Sequence, residues 1–514
     1  MKFLPFTLAG FLFSAFGLLA QDGPKPADFN HCGTPPGWNL PFIRAYQQHP
    51  EKFDFRADDT LWTAVQMHLL ANDMGEGRLF SEKMLDAFCQ LNKDYAPSNI
   101  RFFFKNDWHL IDKTAWYQHD TLSVGVAMMF ANNVPNALNA YFVNVAAGSA
   151  GYNLPYAGVA MRNAEAGLNN HTWTHEIGHA LALEHTFIGW EGKQYNPNLP
   201  TPDTLTYNYA YFHDTLDTNF PVPLDTALVE YLDGSNCGIS ADRICDTKPD
   251  YLSYRWNCNN QNMSTVQLKD PAGAPFYADA TLYMSYSYDN CQNRFSPAQI
   301  QIMRAYLMNP KANWLAAGPQ ANAIVDVPQL VSPESGAMAP DTGAVLQWAP
   351  TPGATHYLIQ VSRIPSFGIN EQELISADTF VLTNPLSVNK TYYWRVRPFN
   401  ASYTCSGYSG SKSFIATETI GVTAAPADGS RCYPTLLQPG QPITLEMAEP
   451  WLHQTVECAV YDAAGRLHWK ARLELNDKRQ DIALPSGNWA PGLYFFECFG
   501  TGGALRQSIV LLGQ

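Results

Sequence analysis

From Thr60 onward the apolar positions alternate between two periods, one of strands and one of helices. TAVQMHLL reads as a strand, and residues 79–95 as an amphipathic helix with Leu85, Phe88, Cys89 and Leu91 on its apolar side. NIRFFFK (99–105) predicts a second strand, residues 123–130 a third, and LNAYFVNV (138–145) a fourth. That fourth strand precedes the small-residue stretch AAGSAGYNLPYAG and reads as a sheet edge, either an ordinary one or one that pairs with an extended peptide. HTWTHEIGHALALEHTF (171–187) opens as a helix behind Asn169 or Asn170 as cap, with His171 in its first turn. Ser296 and Pro297 cap and open another helix, which closes this region near residue 312.

Elsewhere the pattern changes. Residues 21–55 are Pro-rich and polar with little periodicity, as expected of a pro-segment or mobile arm. Residues 188–236 are loop-rich. Residues 320–418 alternate apolar and polar positions through GAVLQWAP and TYYWRVRPFN, a β-sandwich pattern with Trp348, Tyr357, Tyr393 and Trp394 as expected core. Residues 421–514 form a second all-β unit of hairpin-like runs, broken by Ala-Gly and Pro-Gly turns. Met1 to Ala20 carries one lysine, an apolar stretch and a small residue before Gln21, which reads as a secretory signal.

Composition narrows the function. A chain of 514 residues with 46% hydrophobic content fits several globular domains. A net charge of −14 with no Lys/Arg run argues against nucleic acid and anionic membrane surfaces as partners. No stretch after the signal reaches the roughly eighteen apolar residues of a transmembrane helix. Ten cysteines are compatible with disulfides outside the cytoplasm.

The candidate chemistry sits in the 171–187 helix. His175 and His179, four apart, share one helix face, and Glu176 lies beside them. Two imidazoles so spaced can meet one zinc ion, with Glu176 as general base toward a bound water. His185 lies six residues past His179, about 600° further round, so it reaches the same ion only if the helix ends near Ala182 and the chain turns back. Such a turn is left-handed and costs a non-glycine residue about 1–2 kcal/mol. Three neutral imidazoles leave one position for water, whose pKa a zinc ion brings down to about 7. The expected reaction is hydrolysis of a peptide bond, Glu176 taking a proton from water and passing it to the leaving amine. The alternative is a surface adhesin whose metal site is structural or silent. Cys32 is expected either to fill the open zinc position and hold the enzyme latent or to pair with Cys89. Asp242, Asp246, Thr247 and Asp250 offer oxygen ligands to calcium, or else form a solvated loop pinned by a Cys237–Cys245 bridge.

The long zinc signature, CDTKP at 245–249 and YMSYSYDNC followed by FSPAQ resemble the pappalysin family of metzincin metalloproteases, in its cytophagalysin branch. The resemblance covers residues 56–312 and departs at Ala182, where the signature has glycine. It implies Met284 in a tight turn beneath the zinc, Tyr286 stabilising the tetrahedral intermediate, and a Cys258–Cys291 bridge. It also supports calcium near CDTKP, and, through HCGT at 31–34, the latency role of Cys32. Members preferring a basic side chain after the scissile bond carry an acidic residue before the last cysteine; here Asn290 stands there and Asp289 one earlier, so that preference is not carried over. LQW and YYWRVRP resemble a fibronectin type III module, expected to act as a spacer or weak binding unit. VYDAAGR, GLYFFE and the final strand resemble the sorting domain of the type IX secretion pathway, although CYPTLLQPG departs from that family's usual opening. That resemblance implies secretion to the exterior or outer surface of a Gram-negative bacterium, with the secretion machinery as a partner. Among Cys405, Cys432, Cys458 and Cys498, the pair Cys458–Cys498 is expected because both lie in predicted strands. The expected fold is multidomain: an α+β metzincin-like catalytic domain, with a mixed twisted sheet and a zinc-binding helix, followed by two all-β sandwich domains. Its substrates would be proteins or peptides.

Overall fold

The computed structural model describes residues 30–54, 59–206, 226–319, 323–417, 429–462, 466–500 and 503–512. The signal segment, arm residues 21–29 and the Ala-Ala-Gly turn of the last unit lie outside them. The chain is multidomain, an α/β sheet unit followed by two β-sandwich units.

In chain order the first unit runs β1 (Asn30–Cys32), α1 (Leu40–Gln48), β2 (Leu61–Ala71), α2 (Ser81–Tyr95), β3 (Ile100–Phe104) and β4 (His109–Asp112). It continues through α3 (Thr114–Tyr117), β5 (Gln118–His119), α4 (Leu122–Asn132), β6 (Leu138–Val143), β7 (Val145–Ala146), β8 (Ser149–Leu154), β9 (Gly158–Arg162), α5 (Thr172–Ala180) and α6 (Pro297–Met308). The sheet order is β3-β2-β6-β9-β8-β7-β5, with β4 beside β2 and β1 beside β8. β2, β3, β4, β6 and β9 run parallel to one another, while β8 runs antiparallel to β9. β2 and β6 read as near-continuous apolar runs because helices cover both faces of the sheet. One face packs against α2 and α5, where Trp173 meets Phe88 and Phe142; the other packs Met128 and Met129 of α4 against Tyr141 and Leu154.

Three expectations are corrected here. Residues 123–130 are helical rather than a strand, since Leu122, Gly125, Met128 and Met129 are buried at helical spacing. The strand at 138–145 is interior, between β2 and β9; β8, built from the small residues after it, lies beyond β9, with β1 and β7 on its outer side. The amino-terminal arm carries order: β1 pairs parallel with β8, Asn30 opposite Ser149 and Cys32 opposite Gly151. α1 follows, burying Leu40, Ile43 and Tyr46 and setting Phe42 against Tyr306 of α6. Periodic apolar residues within a Pro-rich, polar stretch suffice for this docking.

In the first sandwich unit, a three-stranded and a five-stranded sheet enclose Trp348, Tyr357 and Trp394. Tyr393 points out of that core, because strict alternation along Lys390–Phe399 places Tyr392, Trp394 and Val396 inward. The outward residues meet the α/β unit: Arg397 donates to Asp86 at 2.7 Å, Thr404 donates to the carbonyl of Leu85, and Cys405 is bonded to Cys89. Cys89 is therefore neither an unpaired core residue nor the partner of Cys32, and this unit is fixed to α2 rather than spaced from it. In the last unit Cys458 and Cys498 stand in register on adjacent strands with sulfurs 2.6 Å apart, unbonded, and Cys432 is likewise a buried thiol.

Candidate metal centre

α5 is held at both ends. Asn170 Oδ1 accepts from the Thr172 N–H, and the buried Asp94 carboxylate accepts from Thr174, His171 and Tyr283. At the far end the Leu183 N–H donates back to Gly178 O across Ala182, whose φ of 72° is left-handed. Asn39 of the arm donates to the carbonyl of His179, one of the groups the helix end leaves open, and to that of Leu183 in the turn beyond. The chain thus turns back, and His185 meets the other two imidazoles.

The three Nε2 atoms converge, 3.1 Å between His179 and His175 and 3.2 Å between His179 and His185. Every Nδ1 faces an acceptor: Tyr283 O for His175, Leu183 O for His179, and Glu191 Oε1 for His185. Nδ1–H tautomers leave three lone pairs aimed at one point with no proton between them. Burial, reinforced at His175 by the neighbouring His185, keeps both of these rings down at about 3, so they are neutral. Burial likewise puts His179 well below the usual range. Cys32 Sγ joins them, and the four ligand atoms lie within 4.8 Å of one another, all buried. Burial and then the Glu176 carboxylate push the Cys32 thiol well up. Neutral, convergent imidazoles and a thiol in a buried pocket are a donor set that a divalent cation such as zinc fits.

Glu176 is fully buried, and burial pushes its carboxyl up to about 8 against hydrogen bonds from Thr34 and Cys32. Thr34 Oγ1 and Cys32 Sγ both donate to its Oε2, at 2.8 and 3.5 Å, while Oε1 has no hydrogen-bond partner among the described residues. Tyr286 OH bridges the Cys32 backbone, accepting from N at 3.1 Å and donating to O at 3.4 Å. Met284 lies beneath α5, so close that a Cβ at Gly178 would stand 2.4 Å from its sulfur. A Cβ at Gly151, opposite Cys32, would stand 2.9 Å from Glu176 Cγ. These two glycines, Glu191 and Asp94 were not singled out from the sequence, where none belongs to a spacing pattern.

The four candidate calcium ligands are not brought to a common point. Asp242 accepts from the Ile244 N–H and from Thr247, and Asp246 accepts from Ser296 and the Ala298 N–H at the start of α6. Asp250 accepts from Thr186 and Ser285, tying the His185 loop to the Met284 turn. Cys237 is bonded to Cys245 and Cys258 to Cys291.

No family model matches the chain, and no curated protein matches it. Among solved structures the chain is similar to a promirolysin mutant of Tannerella forsythia, at 17% identity over 56% of this chain and 100% of that one, with a TM-score of 0.37. It is similar to FN3tt at 22% identity over 19% of this chain and 100% of that one, TM-score 0.15. Dimeric latent PorU of Porphyromonas gingivalis aligns at 12% identity over 37% of this chain and 20% of that one, TM-score 0.15. At these TM-scores the likenesses are too slight to place the chain in a family.

Proposed function

We propose that the chain is a secreted zinc-dependent endopeptidase, held latent by its own amino-terminal arm. The convergence of three Nε2 atoms and one thiol beside a half-unsatisfied carboxylate carries this reading. His175, His179 and His185 would hold the zinc, with Cys32 as fourth ligand until the arm leaves. A zinc ion there supplies Lewis acidity, polarising a peptide carbonyl and acidifying water. Glu176 serves as base and then acid, its idle Oε1 free to take a proton from water and return it to the leaving amine. Once Cys32 departs, the Tyr286 hydroxyl would donate to the developing oxyanion. β8 supplies the backbone groups that an extended protein or peptide substrate would pair with, in the place β1 holds. Export rests on residues 1–20 and on the sorting-domain resemblance of residues 421–514, with a Gram-negative exterior as destination.

Metal content of the purified full chain, chelator-sensitive cleavage of gelatin once the arm has been removed, and the Glu176→Gln variant test the assignment together. Expected are bound zinc in both proteins and cleavage only by the wild type, abolished by chelator. Cleavage that survives either chelation or Glu176→Gln would refute it.

A further inference from the structure

His31 immediately precedes the metal-facing Cys32, so its ring occupies a subsite flanking the reaction centre. Its neighbours are His175 and Tyr286, with ring centroids 5.8 and 5.2 Å away, and Arg255, whose Nη1 donates to His31 Nε2 at 3.3 Å. Arg255 is rigidly presented. Its segment pairs with the chain after Met284 through Trp256 and Ser287, the Cys258–Cys291 bond ties the same two segments, and Arg255 Nη1 also donates to Ser287 O. The acidic group nearby is spent: Asp289 Oδ2 accepts from Arg255 Nη2 at 2.5 Å and Oδ1 from the His171 N–H. A side chain entering in place of His31 therefore meets a guanidinium whose charge-assisted donors match a carboxylate, while a cation there would face like charge.

We propose that Arg255 makes this subsite select a carboxylate side chain, so that the peptides cleaved carry Asp or Glu beside the scissile bond. The cleavage preference rests on the peptidase reading above; the charge selection of the subsite does not.

Two measurements separate them. In the full chain, the rate of thiol labelling at Cys32, read site-specifically by mass spectrometry, reports how often the arm lifts. His31→Glu should label about tenfold more slowly than His31→Lys, and Arg255→Gln, which frees Asp289, should erase or reverse that order. Equal rates, or a slower His31→Lys with Arg255 intact, would overturn the proposal, and the comparison needs only the two His31 variants should Arg255→Gln fail to fold. The second measurement is the peptide-library profile of the activated protein. Enrichment of Asp or Glu at one flanking position supports the proposal, and enrichment of Lys or Arg overturns it. A correct labelling order with no cleavage at all would sink the peptidase reading and leave the subsite standing.

Discussion

Glu176 and the residues around it are packed to tolerances of tenths of an ångström, and two glycines set them. At Gly178→Ala the new methyl would collide with the Met284 sulfur, and at Gly151→Ala with Glu176 Cγ, with the Ala160 carbonyl tight against it at 3.1 Å. The first collision is with a flexible side chain, the second partly with backbone. We expect Gly151→Ala to cut activity at least about 100-fold, in the range of a lost or displaced general base, while the protein still binds metal. Metal content and gelatin cleavage measured side by side check this; unaltered turnover would contradict the placement of Glu176 against β8. The facing imidazoles of His175 and His179 were legible because helical spacing alone fixes them. His185 requires a left-handed Ala182, at about 1–2 kcal/mol of backbone strain, which the proposed zinc, if held as tightly as the roughly 10–16 kcal/mol of a structural site, would outweigh. Asp94 and Arg255 were illegible because each reaches the centre through a contact distant in sequence, and Glu191, close behind His185, because it belongs to no spacing pattern.

At the scale of elements, the sequence is compatible with a mobile arm and a spacer-like first sandwich unit, and both are docked. α1 was missed because three buried residues in a nine-residue helix barely register against prolines and polar neighbours. The docking of the sandwich was missed because outward residues of an alternating strand look solvent-facing in sequence, whereas Arg395 and Arg397 face Glu82 and Asp86 of α2. Arg397 is only 5% exposed, so Asp86→Ala would leave a buried guanidinium with no carboxylate. The expected loss is about 3 kcal/mol. Replacing Cys89 and Cys405 together by serine, which opens a link across 316 residues, should lower stability by about 2–4 kcal/mol without detaching the unit. Denaturant unfolding of the full chain resolves both, and an unchanged midpoint in Asp86→Ala would show that the pair is not buried in solution. Position along the sheet is equally hidden: β6 and the small-residue stretch of β8 are both candidates for the outer position in sequence, and only the crossing order puts β6 in the interior and β1 alongside β8.

Across the whole molecule, buried carboxylates couple stability to pH. Burial pushes Asp242 up to about 8, with Asp246 and Glu184 adding to it, and pushes Glu230 up to about 9, with Asp242 adding. In the unfolded chain these groups ionise near pH 4. Between the two values the folded protein holds protons that the unfolded chain has released, so their stabilising contribution is complete below about pH 4 and is lost as pH rises through 8 to 9. Each such group removes at most about 1.4 kcal/mol per pH unit within that window. Paired carboxylates with depressed values would give the opposite slope, but those partners lie on the surface, where ion pairs contribute little. Buried histidines held below their usual range, His68 and His185 among them, give the opposite slope up to about pH 6.5, so stability of the full chain in chelator should fall steadily only from about pH 7 to 8.5. Calcium added at pH 8.5 is the informative second arm: a cation held by Asp242 and Glu230 would keep both ionised and flatten the slope. A midpoint that instead rises toward pH 8.5 in chelator would show that these carboxylates are already ionised in the folded protein, and that their surroundings are more open than the packing around them.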